Sequence, residues 1–164
     1  MIYIFLAEGF EEIEALTPAD LLRRAGKEVR LIGLTGREVK GAHGITVVAD
    51  SVAAETDVSG AECLILPGGM PGTLNLDASG YVDEAIRTVW REGGRLAAIC
   101  AAPLVLGRRG YLDGKEAICF PGFEKELKGA KISEKVAVTD GRITTGKGME
   151  YALDFAKELV RVLR

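Results

Sequence analysis

Residues 95–103 read RLAAICAAP, and the fold prediction depends on this stretch. Its first six residues are mostly small and apolar, as in a short buried strand that ends at Cys100. Pro103 follows closely, and proline is tolerated in the first turn of a helix but not in its interior. The stretch therefore predicts a strand that passes directly into a helix, with Cys100 at the turn between them.

The remaining sequence repeats this alternation of short apolar strands with helical stretches. Continuous apolar strands separated by helices indicate a mostly parallel sheet with helices on both faces, and ligands of such α/β folds bind at the carboxyl ends of the strands. Strands are predicted over residues 2–7, 29–34, 62–69, 95–100 and 115–120, β-hairpins over 37–50 and 135–146, and helices over 11–25, 81–94, 101–110 and 149–164.

Composition limits the classes of function. The chain has 164 residues, 48% apolar and 27% charged, with a net charge of −3, so we expect one globular domain without a basic surface for nucleic acid or anionic lipid. No apolar run reaches the ~20 residues of a membrane span, and the amino terminus lacks the basic region of a signal peptide. The three cysteines are widely spaced, which predicts neither disulfides nor a metal site and favours a cytoplasmic protein.

Two interpretations of Cys100 remain open from the residues alone. A buried cysteine is a common component of a hydrophobic core. At a strand-to-helix turn, however, the thiol would be exposed above the sheet, where it could act as a nucleophile. The helix N-terminus would then be expected to lower the thiol pKa and favour the thiolate.

An acidic segment follows the first predicted strand. Glu11, Glu12 and Glu14 fall in the first helical turn, where the helix dipole favours carboxylates, and this explains Glu11 and Glu12 fully. Glu14 lies four residues before Pro18, whose missing N–H predicts a kink or an opening of the helix beside this carboxylate. A surface position and a site position both remain open for Glu14.

A glycine turn and a single histidine complete the set of candidate residues. Pro67, Gly68 and Gly69 follow another buried strand, and their turn is either an oxyanion hole built from backbone N–H groups or only a turn. His43 is the only histidine and lies at a predicted hairpin tip, where we expect exposure to solvent. The chain therefore shows no Cys–His couple of the protease kind, unless a dimer contact brings His43 to the Cys100 of a second subunit.

Five stretches together resemble the ThiJ/PfpI superfamily, in particular the branch of the parkinsonism-associated protein deglycase and its bacterial relatives. They are LAEGFEEIEALTPADLLRRAG (6–26), LPGGMPGTLNL (66–76), AAICAAPLVL (97–106), AICFPGFEKEL (117–127) and ITTGKGMEYALDFA (143–156). The resemblance covers nearly the whole chain, and its motifs are specific in combination.

The resemblance implies that residues 1–164 form one flavodoxin-like, Rossmann-like α/β sandwich with a nucleophile-elbow cysteine, usually as a homodimer. Cys100 matches the reactive cysteine, and Glu14 matches the carboxylic acid that hydrogen-bonds it. Gly69 and Ala101 match the positions whose backbone N–H groups face the sulfur or a bound oxyanion. Gly68, Phe120 and Lys147 are expected to line the pocket.

The chain departs from the family pattern at three positions near the cysteine. Phe120 stands where many relatives carry a histidine, and Ala101 stands where the protease-like branch has one. Lys147 replaces the arginine of a glycine-rich loop. These differences argue most strongly against peptidase or amidase chemistry.

The function that the resemblance implies is a cofactor-independent glyoxalase or deglycase, a hydro-lyase or hydrolase that acts on methylglyoxal or on early glycation adducts. Cys100 would attack the aldehyde, and Glu14, kept protonated by burial beside an anion, would transfer a proton. The alternatives are a cysteine redox sensor or chaperone-like stress protein without turnover, and, less in keeping with the missing histidine, a cysteine peptidase or amidase. No residue supports a role in thiamine metabolism, and we expect no cofactor, metal, nucleic acid or membrane partner.

Overall fold

The computed structural model describes residues 1–164, which contain eleven strands and five α-helices. The strands are β1 (Ile2–Leu6), β2 (Val29–Gly33), β3 (Glu38–Lys40), β4 (Thr46–Val48), β5 (Ser51–Val52), β6 (Cys63–Leu66), β7 (Arg95–Ile99), β8 (Glu116–Ala117), β9 (Lys131–Ile132), β10 (Ala137–Asp140) and β11 (Ile143–Gly146). The helices are α1 (Glu12–Arg24), α2 (Gly72–Asp77), α3 (Gly80–Arg91), α4 (Pro103–Arg108) and α5 (Ala152–Val162).

Seven strands form the central sheet, in the order β10-β11-β7-β6-β1-β2-β5. All neighbours are parallel except β10, which pairs antiparallel with β11 at one edge. Strands β3 and β4 form a separate antiparallel hairpin, and β8 pairs with β9. This arrangement confirms the predicted flavodoxin-like α/β fold. None of the helices has the length and apolar composition needed to cross a membrane.

Strand β1 shows why the sheet is covered on both faces. Successive side chains of a strand point to opposite faces, and all five side chains of β1 are buried. Ile2, Ile4 and Leu6 pack with residues of α1 and α5. Tyr3 and Phe5 pack with residues of α3 and α4 on the other face. A strand buried on both faces needs an unbroken apolar run, which is the pattern seen in the sequence.

Most predicted elements are present, and three differ from expectation. Helix α1 continues through Pro18 rather than opening there, because the remaining turns keep their hydrogen bonds and the proline ring is buried in the core. The helix after Cys100 begins only at Pro103. Helix α2 was not predicted, since Gly72 and Asn75 are poor helix formers.

The ends of β1, β6 and β7 lie side by side at one edge of the sheet. The chain passes from β1 to β2 on one side and returns to β6 on the other, so the β1–β6 boundary is a topological switch point. Ligands of open α/β sheets bind at such points, outside the carboxyl ends of the strands. Cys100 follows β7, Gly68 and Gly69 follow β6, and Glu14 lies in the helix after β1.

Candidate active site

Cys100 occupies a strained turn between β7 and α4. Its φ is 65°, and it is the only residue other than glycine with a positive φ in the chain. Two backbone hydrogen bonds hold this conformation: the Cys100 N–H donates to the carbonyl of Gly146 at 2.9 Å, and its carbonyl accepts the N–H of Phe120 at 2.8 Å. A left-handed backbone is costly for a residue with a side chain, and it is typical of a nucleophile elbow. The thiol itself is half-buried.

The carboxyl group of Glu14 lies beside this thiol. Glu14 has no solvent exposure, and its Oε2 accepts the backbone N–H of Gly68 at 2.8 Å. A side-chain hydrogen bond links Glu14 to Cys100. The other oxygen, Oε1, is buried and has no N–H or O–H partner in the chain. A buried, unpartnered carboxylate oxygen is unfavourable, so the site favours a proton on this carboxyl group.

Burial dominates the titration of both groups. It raises the pKa of Glu14 to about 7, although hydrogen bonds from Cys100 and Gly68 oppose the shift. Burial, together with the charge of Glu14 and the hydrogen bond to it, raises the pKa of Cys100 to about 12. The expectation that the helix N-terminus lowers the thiol pKa is therefore wrong for this site, because desolvation and a neighbouring carboxylate outweigh the backbone donors.

The two groups behave as one acid that holds a proton between them. Glu14 and Cys100 are hydrogen-bonded, and each raises the cost of a second negative charge in the same buried space. Across the range between about 7 and about 12 the pair carries one negative charge and one proton. Thiolate is therefore available when the proton resides on the carboxyl group.

Backbone donors surround the sulfur at the predicted positions. The N–H groups of Gly69 and Ala101 hydrogen-bond Cys100 and favour its charged form. Gly69 has a φ of 93°, and a Cβ there would lie 2.4 Å from the backbone nitrogen of Glu11, so only glycine fits. Gly68 is equally restricted, because a Cβ there would lie 2.6 Å from both Cys100 and Glu14. The turn after β6 thus brings its N–H groups against the thiol and the carboxyl.

A cavity of about 530 Å³ adjoins the Cys100 turn. Phe120 and Lys147, both predicted to line the pocket, contribute to its wall, and the Phe120 side chain is 46% exposed there. The other lining residues are Glu11, His43, Pro121, Gly148, Met149, Glu150 and Tyr151.

His43 differs from expectation in its surroundings rather than in its exposure. Its side chain is 67% exposed, as predicted for a hairpin tip, yet it lines the same cavity as Phe120 within one chain. The expectation that only a dimer contact could bring His43 to the site is therefore wrong. The cause is Glu12, which is buried and accepts the backbone N–H of His43 at 2.8 Å, so that it holds the β3–β4 loop against α1.

Glu12 was missed as a site-forming residue. The dipole of α1 appeared to explain it, and no local pattern connects residues 12 and 43. The one sequence signal is Gly41, where a Cβ would lie 2.3 Å from the Glu12 carboxylate. The ligand atoms of Glu11, Glu12 and His43 lie within 4.8 Å of one another, but the Glu12 oxygens already accept hydrogen bonds from the hairpin.

The other two cysteines are enclosed. Cys63 lies within β6 and has no solvent exposure, and Cys119 is 1% exposed. Burial raises the pKa of each thiol to about 12. Cys119 follows the short strand β8 rather than lying within it.

Comparisons with known proteins agree with the motifs. Residues 1–162 match the model of the DJ-1/PfpI family. Protein dj-1beta of Drosophila melanogaster is 36% identical over 163 residues, which cover 95% of this chain and 87% of that protein. A Caenorhabditis elegans protein named glutathione-independent glyoxalase DJR-1.2 is 31% identical over 158 residues, which cover 95% of this chain and 84% of that protein.

The fold comparison gives the same result. A solved structure described as oxidized Toxoplasma gondii DJ-1 superposes with a TM-score of 0.94 and 32% identity, covering 99% of this chain and 89% of that one. The resemblance inferred from the five sequence stretches is confirmed. Since the family model spans nearly every residue and the relatives align over most of their own lengths, the chain belongs to the DJ-1/PfpI family.

Proposed function

We propose that this protein is a cysteine-dependent, cofactor-independent glyoxalase that converts methylglyoxal and related reactive aldehydes to hydroxy acids. The observation that carries the proposal is the strained Cys100 turn with the buried Glu14 carboxyl hydrogen-bonded to its thiol. The similarity to the Caenorhabditis elegans protein named glutathione-independent glyoxalase adds support, because that name describes turnover without an external thiol. The same chemistry at an early glycation adduct would make the protein a deglycase.

The reaction follows from the shared proton. The sulfur of Cys100 adds to the aldehyde carbon while the proton of the pair moves to the aldehyde oxygen, which gives a hemithioacetal and a Glu14 carboxylate. Glu14 then takes the hydrogen of that carbon as a proton and delivers it to the neighbouring carbonyl carbon, and the hydroxyl proton moves to the other oxygen. The product is a lactate thioester, which water hydrolyses to lactate and the free thiol. Positioned proton transfer of this kind contributes ~10²–10⁴-fold.

Backbone donors assist the same steps. In the proposed mechanism, the N–H groups of Gly69 and Ala101 stabilise the thiolate and the oxyanion that forms at the attacked carbon. They are held in place by the glycine turn after β6 and by the turn that follows Cys100.

Lactate formation from methylglyoxal in the absence of glutathione tests the proposal. The wild type is expected to form lactate, and Cys100→Ser is expected to form none above the uncatalysed rate. Cys63→Ala is the matched control, because Cys63 is enclosed in β6 and makes no contribution to the cavity. A Cys100→Ser variant that keeps wild-type turnover would refute the mechanism.

The second candidate is a cysteine redox sensor or chaperone-like stress protein without turnover. A protonated Glu14 carboxyl could donate a hydrogen bond to a sulfinate formed when peroxide oxidises Cys100, and a similar Toxoplasma gondii structure is described as oxidized. Intact-mass analysis after mild peroxide treatment tests this role. Two added oxygens on wild-type Cys100, with less accumulation in Glu14→Gln and no lactate from methylglyoxal, would favour the sensor over the enzyme.

We also infer a homodimer in a reducing compartment such as the cytoplasm. Ile13 of α1 and Ile45 and Val48 of the β3–β4 hairpin are large apolar residues that are roughly half or more exposed. Glu12 holds these two elements together, so the exposed side chains belong to neighbouring elements. All three cysteines are free, as expected where thiols stay reduced. Light scattering of the purified protein tests the dimer.

A further inference from the structure

A histidine bound by carboxylates lines the cavity that contains Phe120 and Lys147. Nδ1 of His43 lies 3.1 Å from Oε2 of Glu12 and 3.4 Å from Oε1 of Glu11. Glu12 is itself fixed, because its side chain is 5% exposed and its Oε1 accepts the backbone N–H of His43. The carboxylates therefore orient the imidazole and engage Nδ1, which leaves Nε2 as the ring nitrogen available to a ligand.

The cavity borders the turn that holds Cys100. Phe120, in its wall, donates its backbone N–H to the Cys100 carbonyl at 2.8 Å. Lys147, also in the wall, follows Gly146, whose carbonyl accepts the Cys100 N–H at 2.9 Å. A substrate bonded to the sulfur can extend from this turn into the cavity, whose volume of about 530 Å³ leaves room for it beside the imidazole of His43.

We propose that His43 is a substrate-binding and proton-transfer residue, which donates its Nε2–H to the carbonyl oxygen next to the carbon that Cys100 attacks. The inference rests on the proposed glyoxalase function and names a second side chain for it. It also favours 2-oxoaldehydes over simple aldehydes as substrates, because only the former carry an oxygen at that place.

The proton movements balance with His43 included. When Glu14 removes the proton from the hemithioacetal carbon, the electron pair forms a double bond to the neighbouring carbon, and the ketone oxygen takes the Nε2 proton of His43. The resulting enediol then gives its other hydroxyl proton to Nε2, while Glu14 delivers its proton to the second carbon. The thioester forms, His43 is again an imidazolium, and Glu14 is again a carboxylate.

The charges around His43 set the pH dependence of this step. The hydrogen bond to Glu12 is the largest cause that raises the pKa of His43 above its usual 6.5, and the charge of Glu11 adds to it. A proton donor is active below its pKa, so the rate falls as pH rises through the pKa of His43. The rising limb of the profile belongs to the Glu14–Cys100 pair. Lys147, Glu150 and Tyr151 are the other titratable or charged groups of the same cavity.

Two independent measurements on the purified full chain test the inference. Because His43 is the only histidine, one imidazole resonance in the proton NMR spectrum gives its pKa directly. The pH profile of kcat/KM for methylglyoxal reports the essential acid of the free enzyme. The falling limb of kcat/KM is expected to have the same pKa as the resonance.

Variants then separate a role in catalysis from a structural role. His43→Gln, at a largely exposed side chain, is expected to lower kcat/KM by roughly 10²-fold and to remove the falling limb. Glu12→Gln keeps the imidazole and an acceptor for its N–H but loses the charge, so the NMR pKa and the falling limb should move together to lower pH. Glu28→Gln, an exposed side chain outside the cavity, is the control for a lost carboxylate.

The outcomes distinguish this inference from the proposed function. A falling limb that persists in His43→Gln, or that differs in pKa from the wild-type resonance, would overturn the role of His43 and leave the glyoxalase proposal intact. Wild-type protein that forms no lactate would overturn both.

Discussion

Glu14 and Cys100 come from different elements, and both side chains press against the position of the missing side chain of Gly68. A Cβ at residue 68 would lie 2.6 Å from Cβ of Cys100 and 2.6 Å from Oε2 of Glu14. The Gly68 N–H also donates to that same oxygen at 2.8 Å. The thiol and the carboxyl can therefore share a proton only because residue 68 has no side chain.

Gly68→Ala is expected to separate the two groups. Overpacking of an enclosed site costs about 1–3 kcal/mol in the free energy of unfolding, and any displacement of Glu14 from Cys100 interrupts the proton transfer. We expect lactate formation to fall by at least about 10²-fold, the lower bound for positioned proton transfer. Thermal unfolding and the methylglyoxal assay measure the two effects.

Gly80→Ala is the control for Gly68→Ala, because an added Cβ at Gly80 meets no atom within 4 Å. It should leave both the melting temperature and the rate of lactate formation close to those of the wild type. Wild-type turnover in Gly68→Ala would mean that the two side chains need not touch.

Removal of the Glu14 charge should change the reactivity of the thiol. The carboxylate and its hydrogen bond help to raise the pKa of Cys100, so Glu14→Gln is expected to lower that pKa. At a fixed pH between 8 and 10, alkylation by iodoacetamide should accelerate by roughly tenfold for each unit of the decrease. Peptide mapping of the labelled protein gives the rate at Cys100, with the enclosed Cys63 and Cys119 as slow internal references.

An unchanged alkylation profile in a folded Glu14→Gln protein would return this carboxylate to a role at the helix dipole alone. Labelling that is fastest at Cys63 would contradict the assignment of Cys100 to the exposed turn.

Stability should depend on pH through the same carboxyl group. The pKa of Glu14 rises from 4.5 to about 7 in the folded protein, so between these values the folded state holds a proton that the unfolded chain has released. The free energy of unfolding therefore falls as pH increases through this range. Glu14→Gln removes this dependence and should gain stability relative to the wild type as pH rises, by at most on the order of 3 kcal/mol.

Urea unfolding at several pH values between 4 and 8 measures this difference, with Glu28→Gln as the control for an exposed carboxylate. Parallel pH profiles for the wild type and Glu14→Gln would show that the carboxyl group titrates normally in the folded state.

Peptide bonds should remain uncleaved. A cysteine peptidase needs a base hydrogen-bonded to its thiol and an acid for the leaving amine. Here Cys100 is hydrogen-bonded to a carboxyl group, and Nδ1 of His43 is engaged by Glu11 and Glu12. Purified protein should leave casein and fluorogenic peptides intact while it consumes methylglyoxal. Peptide cleavage that disappears in both Cys100→Ala and His43→Ala would establish a Cys–His couple instead.

The fold and the reactive turn were predictable because local chemistry determines them. Unbroken apolar runs separated by helical stretches require a parallel sheet buried on both faces. Small residues around Cys100, with Pro103 behind it, are compatible with little except a strand-to-helix turn. Family motifs then assigned the partner positions Glu14, Gly69 and Ala101, which the structure brings to the sulfur.

Features that depend on contacts between distant elements were not predictable. The link between Glu12 and His43 joins residues 31 apart, and nothing in either segment indicates it. The direction of the Cys100 pKa shift was also wrong from sequence, because burial and the Glu14 charge are properties of the folded site, whereas the helix N-terminus was visible in the pattern.

The most direct test of covalent chemistry at Cys100 is to stop the wild-type reaction with acid during turnover and map the modified peptides by mass spectrometry. We expect an adduct of one methylglyoxal mass on the peptide containing Cys100, which decays at the rate of lactate formation and is absent from Cys100→Ser. Lactate formation without any adduct at Cys100, or with the adduct at another residue, would contradict the mechanism.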